Sequence, residues 1–68
     1  MTFAAMADEI FRRAGVDKAS APLMWGYCVD ILAAKATAQR MTRGMTLEKL
    51  KQALVDGMAK AKAEGTLA

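Results

Sequence analysis

Gly15, Gly44 and Gly65 each close a stretch of helical spacing, and Thr2, Ser20 and Thr46 each stand where such a stretch opens. A threonine or serine at a helix start accepts a hydrogen bond from one of the first free N–H groups. A glycine just past the end takes the left-handed conformation cheaply. This punctuation divides the 68 residues into helices at about 3–14, 21–43 and 47–64. The breaks between them are short, so consecutive helices are expected to be antiparallel or sharply angled neighbours. Fifteen alanines, few β-branched residues and a single proline favour helix throughout. The expected fold is all-α, a small three-helix bundle forming one domain over 1–68. Repeats and low-complexity linkers are absent from the sequence.

A chain of this length has little core to rely on: below roughly 70–80 residues a single core rarely supplies more than about 3–5 kcal/mol. One cysteine cannot form an internal disulfide, and without histidine the usual Cys/His zinc sites cannot be built. Oligomerisation or another protein is the remaining support, and the expectation is a homodimer through the central helix of the sequence.

In helix 1, Phe3, Met6, Ala7, Ile10 and Ala14 recur at helical spacing and form the predicted buried stripe. Asp8 and Glu9 lie four residues before Arg12 and Arg13, and the cluster reads as a solvated face. In helix 3, Leu47, Leu50, Leu54, Met58 and Ala61 make a narrow apolar seam, opposite Lys49, Gln52, Asp56, Lys60 and Glu64. Gly57 costs this helix about 1 kcal/mol relative to alanine. Its place beside the seam suggests close approach of another helix.

Helix 2 differs from both. Residues 21–32, APLMWGYCVDIL, hold the chain's only Trp, Tyr, Cys and Pro. On a helical wheel Leu23, Tyr27, Ile31 and Ala34 fall together, Met24 and Cys28 lie beside them, and Leu32, Trp25 and Val29 extend the arc. The apolar sector spans roughly 240°, against about 100° for an ordinary surface helix. Two small neighbours are not expected to cover it. The predicted protein interface is therefore Leu23, Met24, Trp25, Tyr27, Val29 and Leu32, with Trp25, Met24 and Leu32 as anchors and Arg40 and Arg43 at the rim. The competing reading makes Trp25 a core aromatic. Asp30 is placed off the arc, solvated or paired with a base, and Cys28 is read as a small buried hydrophobe rather than a nucleophile. Gly26 is read as a close-approach point or a bend.

Several chemistries are excluded or disfavoured. Histidine-dependent triads cannot form, and phosphate-cradling and calcium loops are absent from the sequence. No enzymatic role, catalytic residue, metal, cofactor or small-molecule substrate is expected. The apolar run over 19–29 is broken by Pro22 and Gly26 and is too short to span a bilayer. The N-terminal MTFAAMADE lacks a basic region, so no secretion signal is expected. With a lone thiol this points to a cytoplasmic protein of prokaryotic or phage style.

The net charge of +3 is modest. Lys35, Arg40, Arg43, Lys49 and Lys51 cluster around the helix 2–helix 3 turn and are the candidate contacts to an anionic partner. A helical DNA-binding regulator using segment 35–51 is thus the alternative function. Acids on the polar face of helix 3 weigh against it, and Gln52 is the one candidate base reader there. A membrane role for helix 3 is not favoured, because its seam is narrow and lacks aromatics. The favoured reading is a small regulator, inhibitor or assembly factor that works by protein–protein contact.

Overall fold

The computed structural model of the chain describes residues 2–37 and 46–66. These form α1 (Phe3–Ala14), α2 (Pro22–Thr37) and α3 (Leu47–Glu64), with a single 3₁₀ turn at Lys18–Ser20 between α1 and α2. The described residues are all helical or connecting, with no strand among them.

The ends of α1 and α3 follow the local chemistry of their sequences. Thr2 Oγ1 accepts from Ala5 N at 3.0 Å, and Thr46 Oγ1 accepts from Lys49 N at 3.1 Å. Gly15 and Gly65 both have φ of 72°, the left-handed conformation expected of them. At each, two N–H groups turn back onto the last carbonyls. Gly15 and Val16 donate to Arg12 and Phe11, while Gly65 and Thr66 donate to Lys62 and Ala61. This is the Schellman arrangement, which relieves carbonyls left unpaired at a helix end. At α1 it has a hydrophobic component as well, because Val16 and Phe11 are both buried.

The start of α2 differs from the expectation. Ser20 is not its N-cap but the last residue of the 3₁₀ turn, which Asp17 opens by accepting from Ala19 N at 3.4 Å. Ser20 N and Ala21 N are both used to close that turn, onto the Asp17 and Lys18 carbonyls. The helix begins one residue later, with Pro22 in its first turn, where a missing N–H costs nothing. The expected continuation to residue 43 and the stop at Gly44 lie outside the described residues.

The core joins Ala7, Ile10, Phe11 and Ala14 of α1 to Cys28 and Leu32 of α2 and to Val55 and Met58 of α3, with Val16 and Ala21 closing one end. The helix at its centre is α1, against which both others pack more extensively than they pack on each other. Two of its four buried residues are alanines, which allow close approach on either side of the bulkier Ile10 and Phe11. Two side chains absent from the predicted seams, Phe11 and Val55, prove to be core residues. Phe3, Met6, Leu47, Leu50 and Leu54 are partly buried against that core.

Candidate functional site

The buried side of α2 is Cys28, Leu32 and Lys35, a strip at four- and three-residue spacing facing α1 and α3, with buried Ala21 just ahead of the helix on the same side. Half a turn away lies a strip of exposed residues: Leu23, Tyr27, Asp30 and Ala34. Leu23 is 88% exposed and Tyr27 59%. Asp30 is exposed as expected, but it shares the strip with Leu23 and Ala34 instead of standing off the apolar arc. At about 100° per residue, positions 23, 27, 30 and 34 fall within roughly 60° of one another.

The six predicted interface residues therefore divide. Leu23 and Tyr27 are free surface, and Met24, Trp25 and Val29 are partly buried against the core. Leu32 is completely buried. It is a core residue and cannot anchor a surface patch, because it sits on the side of α2 that the other two helices cover.

Trp25 is committed within the chain. Its Nε1–H donates to Asp8 Oδ1 of α1 at 2.9 Å, and the Lys18 ammonium lies 3.8 Å from the ring centroid. Indole nitrogen, carboxylate and ammonium thus tie α1, the 3₁₀ turn and α2 together at one end of the bundle. Helical spacing relates Asp8 to Arg12 on a solvated face; its bond to a residue seventeen positions away has no signature in that spacing.

Two apolar depressions flank Met24. One, of about 360 Å³, is lined by Pro22, Leu23, Met24, Tyr27 and Thr66. The other, of about 160 Å³, runs between α2 and α3 and is lined by Met24, Ala53, Leu54, Gly57, Met58 and Ala61. Every side chain in the second is apolar, and one of them, Met58, also belongs to the core. A Cβ built on Gly57 would meet nothing within 4 Å among the described residues, so neither α1 nor α2 approaches it closely, contrary to the expectation. Gly26 is equally open, and neither glycine has positive φ.

Of the three described basic residues of the segment, Lys35 and Lys51 are buried and only Lys49 is exposed. Lys51 is only 6% exposed and lies 2.7 Å from Glu9 and 3.3 Å from Glu48. The close Lys51 ammonium holds the Glu9 carboxyl below its ordinary value, and the Glu9 carboxylate raises the Lys51 ammonium above its own. Glu9 also faces Arg13 at 3.8 Å, which makes it the hinge of a charge network between α1 and α3. Lys35 is likewise 6% exposed, and its Nζ has no hydrogen-bond partner among the described residues. Both lysines were expected to face an anionic partner. Both are instead buried, Lys51 between Glu9 of α1 and Glu48 of α3, and Lys35 with its ammonium itself out of contact with solvent. Lys49 is exposed, and Arg40 and Arg43 lie outside the described residues. Gln52, the candidate base reader, accepts from Arg13 and donates to Asp56 at 2.8 Å.

Cys28 is fully buried, with its Sγ 3.8 Å from Met58 Sδ, and burial pushes its thiol pKa up. That is the environment of a packing residue, since a reactive thiol requires the opposite shift. Among the described residues no three His, Cys, Asp or Glu side chains converge on a common point, and no helix is long and apolar enough to cross a membrane. No protein-family model, curated protein or solved structure matches this chain.

Proposed function

We propose that this chain is a small non-enzymatic regulator or assembly factor that acts by protein–protein contact, as a homodimer, through the outward face of α2. The observation that carries the reading is the exposure of Leu23 and Tyr27 one turn apart on the same strip, beside two apolar depressions. Large apolar side chains left in water together, next to concave apolar surface, mark a contact site in a soluble protein. Tyrosine is moreover a residue type enriched at the centres of interfaces. The mode of action is occlusion or scaffolding: the face covers, or is covered by, a matching apolar surface. A reducing cytoplasmic setting suits the free thiol of Cys28.

The nucleic-acid reading has less support. Two of its five basic residues, Lys35 and Lys51, are turned inward, and its one base-reading candidate is engaged by Arg13 and Asp56. Phosphate contacts need cations at the surface.

Sedimentation velocity across a wide concentration range tests the proposal. A dimer is expected to persist into the low micromolar range. Leu23→Glu combined with Tyr27→Glu is expected to give a folded monomer, since neither side chain supports the core. A wild-type chain that is monomeric at all concentrations overturns the homodimer. Salt-dependent binding to a DNA duplex, lost on charge reversal at Arg40 and Arg43, would favour the alternative.

A further inference from the structure

We infer that the seam between α2 and α3 is a built-in opening of the bundle: the two helices part there while α3 stays fastened to α1, and the Cys28 thiol meets solvent without global unfolding. The inference does not depend on self-association.

The seams of the bundle differ in what holds them. Among the described residues, the polar side-chain ties from α3 to another helix all run to α1. Lys51 pairs with Glu9 at 2.7 Å, Gln52 accepts from Arg13, and the Lys62 ammonium donates to the carbonyl of Gly15 at the end of α1. These ties span most of the length of α3. On its other side α1 holds α2, through the bond from Trp25 to Asp8 at 2.9 Å. Between α2 and α3 the side-chain bond of the described residues is the weak sulfur contact of Cys28 with Met58 at 3.8 Å.

Helical geometry sorts the residues of α3 to the two seams. At about 100° per residue, Lys51, Val55, Met58 and Lys62 fall within roughly 60° of one another, and both ends of that strip are bonded to α1. Ala53, Leu54, Gly57 and Ala61 lie on the flank beside it and line the depression that separates them from Met24 of α2. Most of these side chains are small, and the depression of about 160 Å³ is contact that the two helices do not make. Atoms that line a gap forfeit dispersion attraction across it. A seam with few contacts opens at a lower free energy than the whole domain does. Cys28 is fully buried on this seam and is the chain's single cysteine. The opening therefore makes its thiol conditional: inert while α2 and α3 are closed, and an ordinary surface thiol when they part.

Native-state thiol labelling of the full chain tests this. An aromatic disulfide reagent is added at increasing urea below the unfolding transition, and the labelling rate is compared with the one that global opening allows. Cys28 is expected to label at least about tenfold faster than global opening permits, at a rate that low urea hardly changes, because little new surface is exposed. A Cys28→Ala, Val55→Cys chain moves the thiol to the strip facing α1 and is expected to label only by global opening, with its full urea dependence. Lys62→Met, at an exposed position, cuts one tie to α1 and is expected to leave the low-urea rate of Cys28 within about twofold of wild type. Cys28 labelling that follows global unfolding at every urea concentration overturns the inference. So does fast, urea-insensitive labelling at Val55→Cys, or a rise of about tenfold with Lys62→Met, since either places the opening between α1 and α3.

Discussion

Leu23 and Leu32 are the same residue type on one helix, nine positions apart, and their truncation to alanine is expected to have opposite consequences. Leu32 is completely buried beside Cys28 in the core. Leu32→Ala removes its transfer free energy and leaves a cavity, at a cost of about 2–5 kcal/mol. A single core in a chain this short supplies only about 3–5 kcal/mol, so the loss is of the same size as the whole stability. With a shift of roughly 4–8 °C per kcal/mol in a small domain, the transition moves down by about 10 °C or more, or ceases to be cooperative. Leu23 has little left to lose within the monomer. Its 12% of buried surface corresponds to about 0.3 kcal/mol, and alanine's better helix propensity offsets part of that. The assay is thermal unfolding followed by circular dichroism at 222 nm, at several concentrations down to one where the wild-type chain sediments as a monomer. Leu23→Ala should melt like the wild type at the lowest concentration and lose stability relative to it as concentration rises, because only the dimer uses Leu23. A Leu32→Ala chain within about 0.5 kcal/mol of wild type would refute the assignment of core and surface to the two sides of α2. So would a Leu23→Ala monomer destabilised by more than about 1 kcal/mol.

Other perturbations follow from the same geometry. Gly57→Ala adds a Cβ in open space within α3, so the monomer should gain about 1 kcal/mol, read as a higher denaturation midpoint. The Glu9 carboxyl is held below its ordinary pKa of 4.5 by Lys51, so its contribution is present above that value and is lost as pH falls through the lowered one; Lys51, raised above 10.5, loses its contribution as pH rises through the raised one. Urea titrations from pH 2 to 7 should show an acid limb in stability that flattens in Glu9→Gln, and an unchanged limb would refute the role of that pair. The Cys28 thiol, buried and raised in pKa, should react with a thiol reagent at neutral pH only as fast as the chain opens. Rapid labelling under native conditions would contradict its burial.

The sequence by itself determined the helix ends that local hydrogen bonding controls. Thr2, Gly15, Thr46 and Gly65 act within a turn of their own positions, so their chemistry was readable without knowing where any other helix lies. Ser20 failed by the same rule, because Asp17 three residues earlier had a competing turn to close. The apolar surplus of α2 was also legible, and so was the burial of Cys28. Which side of α2 would be covered was not. A helix that is apolar nearly all round carries no periodic signal to orient it, so Leu32 could be taken for surface. Only the placement of α1 and α3 on one flank decided that Leu32 is core while Leu23 and Tyr27 remain in water. The same holds for charge. Lys35 and Lys51 read as a basic patch because sequence records the ammonium and not the path of its stem. Tertiary packing buried both side chains and brought Glu9 to Lys51 and Asp8 to Trp25 across distances in sequence that no helical period relates.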